Sequence, residues 1–290
     1  MRQLVPGLLF AALWASASAA TKFGVAVADP LVLATVRFFI AGGAMLFFAY
    51  VLMPSKNRLP QGREWKQLLV FSILNTTIYL GAFVIAIKHV SAGIGSLSTA
   101  TNPLFIMVLS AVWLKRRMKL AEISGVILGL GGVVLACYPL LQNGYATVGG
   151  LLVLLGGMIS VSAATVYYAR IEWKLPNIVI NGWQVLLGGV VLLPFCLLTS
   201  DFKNTHLNHQ FWAAVLWLII PVSVGALQLW FYLVKIDAVR ASLWLFLCPI
   251  FGFTYSYFLL GEPITWHTFV GTAVVIAGLY LAQSKKSLTN

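Results

Sequence analysis

Acidic side chains are scarce in this chain, with seven Asp and Glu among 290 residues, beside four His and three Cys. Charged residues of both signs make up only 9%, against 60% apolar residues, and the mean hydropathy is +0.93. Soluble domains carry about a quarter charged residues, so a water-soluble fold is excluded. Cys137, Cys196 and Cys248 each stand alone inside an apolar run without a close Cys or His, so neither a disulfide framework nor a metal site is indicated. With so few acids, nineteen Lys and Arg leave a net charge of +12. All of these cations but Arg37 fall in or beside the short breaks between apolar runs, and they form no amphipathic face, so they indicate a lipid bilayer as partner and not a nucleic acid.

A membrane-spanning helix needs about 20 apolar residues. The chain offers ten such runs: Leu4 to Thr21, Leu31 to Met53, Trp65 to Ile87, Ser91 to Leu114, Ala121 to Leu141, Thr147 to Ala169, Val179 to Thr199, Phe211 to Val234, Ala241 to Leu260 and Trp266 to Ala282. A transmembrane β-barrel would alternate over segments of about ten residues, whereas these runs are continuously apolar. The fold class expected is therefore all-α integral membrane. With the N-terminus in the cytoplasm, Lys56, Arg58, Arg63, Lys66, the cluster at 115–119, Arg170, Lys174, Lys235, Arg240, Lys285 and Lys286 all fall inside, and only Lys22, Lys88 and Lys203 fall outside. That positive-inside bias places both termini in the cytoplasm of a bacterial-type inner membrane and favours an even span count. The first run can also be read as a secretory signal peptide, because Ala15 to Ala20 is a small-residue stretch of the kind that is cleaved.

Internal repetition bears on that choice. Ser16-Ala17-Ser18-Ala19-Ala20-Thr21 recurs as Ser160-Val161-Ser162-Ala163-Ala164-Thr165, so the cleavage-like stretch has a twin in mid-chain. At an offset of 146, Ser96, Pro103, Ser110, Gly125 and Gly132 match Ser242, Pro249, Ser256, Gly271 and Gly278. The chain reads as ten transmembrane helices in two five-helix repeats, residues 1–141 and 147–283. An odd number of spans per repeat inverts the second copy, and the loops agree: basic Lys115-Arg116-Arg117-Met118-Lys119 pairs with Gly261-Glu262-Pro263-Ile264-Thr265, which has no cation. Inverted repeats around a site near the midplane are a transporter architecture.

The segment Phe231-Tyr232-Leu233-Val234-Lys235, Ala238-Val239-Arg240-Ala241-Ser242, Pro249 and Leu260-Gly261-Glu262-Pro263-Ile264-Thr265 resembles the second repeat of the drug/metabolite transporter superfamily, nearest its EamA-type branch. Trp14, Arg37-Phe38, Ala86-Ile87-Lys88, Ser91-Ala92-Gly93 and Asn102-Pro103-Leu104 echo the first repeat. The resemblance covers nearly the whole chain. It implies a ten-helix bundle that exports small metabolites or amino acids through a cavity lined by the first, third, fourth, sixth, eighth and ninth helices. The chain departs from the pattern at Lys115-Arg116-Arg117, where the first repeat of such proteins often carries a Gly-Glu turn. No role of Glu262 therefore passes to Arg116.

Candidate residues follow from the cost of burying polarity in hydrocarbon. No Asp, Glu or His falls near mid-span, whereas proton-coupled carriers usually keep one on the pathway. Facilitated diffusion or exchange is expected, with His89 the residue able to overturn it. Asn75, Asn102 and Gln228 should meet water, substrate or each other. Trp14, Tyr79, Tyr232 and Trp244 lie deep enough to line an amphipathic cavity, and Ser18 and Ser162 supply hydroxyls on two related helices, as cavity groups or as packing groups. Arg37, deep in a span, should face inward, with Gln184 at its repeat position. Both are expected to tie helices together, and contact of Arg37 with an anionic substrate is the other reading. Pro103 and Pro249, taken as mid-helix prolines, are candidate hinges or static kinks.

The sequence thus supports a carrier of neutral, zwitterionic or amphipathic solutes. No enzyme cofactor or metal is indicated, because no nucleophile, acid–base pair or metal cluster lies at depth. A non-transporting scaffold or channel is the rival, and a homodimer is compatible with either. Truncating Gln228 or Tyr79 is expected to reduce transport.

Overall fold

The computed structural model describes residues 4–54, 57–113, 115, 117–236 and 244–283. Asp237, Arg116 and the 238–242 part of the motif lie outside the described residues. The architecture is all-helical among the described residues. α1 spans Leu4–Val25, and α2 spans Pro30–Phe47 and runs on through a π-helical turn, Phe48–Leu52. α3 (Arg63–Ser72) and α4 (Tyr79–His89) are one rod joined by a π-helical stretch, Ile73–Ile78. α5 (Ala92–Ala100) and α6 (Asn102–Trp113) meet at a bend of 40°. α7 (Leu120–Gln142), α8 (Val148–Ala169) and α9 (Asn177–Thr199) are uninterrupted. α10 (His209–Trp217) reaches α11 (Leu227–Ile236) through a second π-helical stretch, Leu218–Ala226, and a 3-10 turn at Trp244–Leu247 leads into α12 (Cys248–Leu260) and α13 (Trp266–Gln283).

Seven of these rods are long and apolar enough to cross a membrane, eight if the bent pair α5–α6 is one span, and α12 and α13 are shorter apolar helices. The exterior is what a hydrocarbon solvent selects. Leu198 is 84% exposed, Phe258 76% and Trp266 75%, values that water would penalise and lipid does not. Inside, small residues let backbones touch. A Cβ at Gly132 would lie 2.6 Å from the Gly271 carbonyl oxygen, and one at Gly278 would lie 2.7 Å from that of Gly125, so α7 and α13 pack glycine on glycine. Gly42 presses likewise on the Leu186 backbone, joining α2 to α9.

The two prolines differ from expectation. Pro103 and Pro249 each stand second in their helices, α6 and α12, where the missing N–H has no intrahelical partner to lose. Neither is mid-helix, and the bend lies just before Pro103. There Thr101 Oγ1 donates to the Ser98 carbonyl at 2.6 Å and Thr99 Oγ1 to that of Ser96 at 2.7 Å, hydroxyls that quench carbonyls at the break.

Candidate functional site: a polar cavity inside the bundle

A cavity of about 200 Å³ lies among α1, α2, the α3–α4 rod, α5, α6, α8, α9 and the α10–α11 rod. Its apolar walls include Trp14, Met45, Phe83 and Val222. Its polar groups are Ser18 from α1, Arg37 from α2, Asn75 and Tyr79 from the α3–α4 rod, Ser96 from α5, Thr99 and Asn102 at the bend, Asn181 and Gln184 from α9, and Ser223 from the π-helical stretch of the α10–α11 rod. No Asp or Glu lines it among the described residues.

Two wide turns build much of this polarity. A π-helical turn carries an extra residue, loosens the i to i−4 ladder and re-aims side chains, and such turns recur at functional sites. The stretch Ile73–Ile78 holds Asn75, Thr76 and Thr77, and Leu218–Ala226 holds Ser223. Thr77 and Ser223 are themselves 146 apart, the offset found in the sequence. Asn75 Nδ2 and Thr76 Oγ1 donate to Gln184 Oε1 at 3.2 and 2.6 Å, which ties the third rod to α9. Ser223 Oγ accepts from Arg37 Nη2 at 3.1 Å and donates to the Leu218 carbonyl at 2.8 Å. Asn102 Oδ1 is buried without a hydrogen-bond partner.

Of the residues singled out from sequence, Trp14, Ser18, Asn75, Tyr79 and Asn102 line this cavity. The others stand elsewhere. Ser162 is fully buried behind the wall, its hydroxyl donating to the Asn102 carbonyl at 3.4 Å. The Trp244 indole packs onto Gly7 of α1, and Gln228 and Tyr232 are exposed on α11. One residue's rotation explains Gln228, since its neighbour Leu227 takes the inward position. Arg37 and Gln184, expected first as ties between helices, bond side chains of neighbouring helices, and both line the cavity as well. Asn181 and Ser223 were missed; each is a lone polar residue in an apolar run, the same signal that marked Asn75. α2 and α9 thus join the lining, and α12 gives it no residue among those described.

One end of the bundle is cross-tied by charge. Lys22 Nζ donates to the carbonyls of Ile87 at 2.8 Å and Val90 at 2.6 Å, and stands 4.0 Å from Glu262 Oε1. Glu262 Oε2 accepts from the Ala92 N–H at 2.8 Å, at the start of α5, and from Ser256 Oγ. The left-handed Gly261, φ +65°, turns the chain so that this carboxylate points back into the bundle. Burial raises the Glu262 carboxyl above its ordinary value, against the pull of Ser256, Lys22 and the Ala92 N–H. Along α5, buried Ile94 and Leu97 fill the space between this latch and cavity-lining Thr99. His89 is exposed and lines an outer recess of about 640 Å³ with Lys22, Lys88 and Glu262, away from the cavity.

Comparison with known proteins bears on what such a cavity serves. The profile of the EamA-like transporter family matches residues 3–138 and again 148–283. This chain belongs to the EamA-like transporter family. Among relatives, a protein of Archaeoglobus fulgidus named as an uncharacterized transporter is 25% identical over 99% of this chain and all of its own length. The uncharacterized inner membrane transporter YedA of Escherichia coli is 26% identical over 99% of this chain and 94% of its own. A solved crystal structure covering 98% of this chain and 96% of its own shares the fold, with a TM-score of 0.67 at 20% identity. As a member of this family the protein is a multi-pass membrane transporter, whose partners are the bilayer and a small-molecule substrate.

Proposed function

We propose that this EamA family member is a secondary carrier that exports a small metabolite by alternating access, as facilitated diffusion or exchange. The observation that carries the reading is the enclosed polar cavity, lined from both halves of the chain and closed at one end by the Lys22–Glu262 latch. The proposed architecture is ten transmembrane helices in two inverted five-helix repeats, residues 1–141 and 147–283. The bent pair α5–α6 serves as one span and the shorter α12 and α13 as two more. The π-helical stretches near 146 residues apart support this, as do the Gly132–Gly271 and Gly125–Gly278 contacts, which exchange with one another when Gly125 is paired with Gly271 and Gly132 with Gly278 by the sequence offset. Both termini are then cytoplasmic in an inner membrane, which puts the Lys22–Glu262 latch at the outer face. Export requires this latch to open. The absence of acids from the described cavity lining supports transport without tight proton coupling.

The test is counterflow in proteoliposomes with labelled amino acids, monocarboxylates and neutral solutes, with and without a pH gradient. Saturable exchange indifferent to the gradient is expected. Accumulation driven by the gradient would keep a carrier and remove the uncoupled mechanism; conduction without saturation or counterflow would instead make the protein a channel.

A further inference from the structure

We infer that Arg37 is the docking group for a carboxylate, so that the substrate of the carrier proposed above is a small carboxylate with an apolar body. The inference rests on that carrier reading for the movement of the solute, but the binding site stands on geometry of its own.

Arg37 is 8% exposed, and a guanidinium presents five N–H donors. The hydrogen bond found for this side chain is the one to Ser223 Oγ at 3.1 Å. The ion pairs among the described residues are Lys22–Glu262 and Arg58–Glu64, and neither involves Arg37. A cation placed in a span costs about 2.5 to 3.5 kcal/mol unless something compensates it. Pure helix-tying would be served by a neutral amide, as Gln184 does at the repeat-related position by accepting from Asn75 and Thr76. The guanidinium instead borders the cavity, which Tyr79 also lines. A buried cation that borders a cavity, with Ser223 as its one hydrogen-bond partner and no acid in the lining among the described residues, is complementary to an anion. The planar fork suits a carboxylate, which it can hold through two parallel bonds.

The remaining walls define the rest of the ligand. Trp14, Phe83 and Val222 offer apolar surface to a hydrocarbon or aromatic body. A volume of about 200 Å³ is below the ~300 to 1,000 Å³ of pockets for drug-sized ligands, which limits the solute to a compact one. With Arg37 the one cation in the lining among the described residues, a dicarboxylate would leave one charge unmatched in low dielectric. A monocarboxylate, with or without an amino group, is the class that fits.

Purified full-length protein is reconstituted and tested for counterflow of 3-methylbutyrate, 3-phenylpropionate and L-leucine, each against its amide, and ligand-induced melting shifts are measured in parallel. The wild type should favour at least one carboxylate over its amide by tenfold or more. Arg37→Gln should abolish that discrimination, and Arg37→Lys should retain it with half-saturation raised several-fold, because charge persists without the fork. If Arg37→Gln does not fold, the carboxylate-to-amide ratio in Arg37→Lys and Ser223→Ala carries the test. Equal handling of carboxylates and amides by the wild type, or unchanged discrimination in the Arg37 variants, overturns the inference and leaves the carrier reading intact. Carboxylates that stabilise the wild type but not Arg37→Gln, with no flux of any solute, would uphold the site and overturn the carrier. Neither flux nor stabilisation by any carboxylate overturns the site.

Discussion

Lys22 and Arg37 are two cations on neighbouring helices whose surroundings differ. Lys22 has a carboxylate at 4.0 Å and two backbone carbonyls within 2.8 Å, so its charge is matched by the protein itself. Arg37 is more deeply buried, and among the described residues it has one hydroxyl and the face of the Phe38 ring at 6.0 Å but no carboxylate. A matched charge fastens elements together; an unmatched one beside a cavity leaves its strength for a ligand. The same contrast separates the two ends of α5, whose first N–H is held by Glu262 and whose last turn opens onto the cavity at Thr99.

The largest effect is expected from breaking the matched pair. Lys22→Ala leaves Glu262 without its counter-charge and two carbonyls unbonded, and should destabilise the protein by about 3 kcal/mol, read as a lower melting temperature in detergent. Adding Glu262→Gln should recover part of that loss, and full additivity of the two changes would show that they do not interact.

A second contrast sets the cavity wall against the lipid face. Tyr79→Ala should reduce transport about tenfold at unchanged membrane abundance, whereas Gln228→Ala, on the exposed side of α11, should leave transport within about twofold, the usual scale for surface changes. This revises the expectation from sequence, in which both were cavity residues. A large transport defect in Gln228→Ala would move the cavity boundary across α11.

The two halves share one backbone conformation but fill it with different residues. Lys115 and Gly261, 146 residues apart, both take the left-handed conformation, at φ +51° and +65°. A side chain there costs roughly 1 to 2 kcal/mol. Gly261→Ala should lower stability by about 1 kcal/mol, and Lys115→Gly should raise it by about 0.5 to 1 kcal/mol, measured by melting.

The smallest effect is one of pH. Because burial raises the Glu262 carboxyl in the folded state, that state holds its proton more tightly than the unfolded chain does. Its contribution to stability is therefore complete below the ordinary carboxylate value and is lost as pH rises through the raised one. On acidification from neutrality toward pH ~5, near the ordinary carboxylate range, the wild type should gain melting temperature relative to Glu262→Gln. A relative loss would mean that Lys22 and the hydrogen bonds outweigh burial.

Much of this was legible in the chain because hydrocarbon is a demanding solvent. Long apolar runs announced helices, and a polar residue inside a run, Asn75 or Arg37, announced an inward face. The glycines paired at an offset of 146 marked α7 and α13 before their contact was visible. The Lys22–Glu262 latch was not legible, since it joins residues 240 positions apart, and nothing local distinguishes Lys22 from a topology signal.

Composition and hydropathy alone determined that the protein lies in a membrane, that it is helical and that Arg37 must avoid lipid, because each follows from what a side chain costs in hydrocarbon, and residues repeated at an offset of 146 showed that its halves are related. Only the tertiary structure decided that Arg37 borders a cavity, that Ser223 is its partner, that Gln228 turns outward and that Pro103 and Pro249 begin helices. Those outcomes depend on rotation about the helix axis and on two π-helical stretches, and a shift of one residue there turns a side chain by about 100°. Such a shift leaves the hydropathy of the run unchanged.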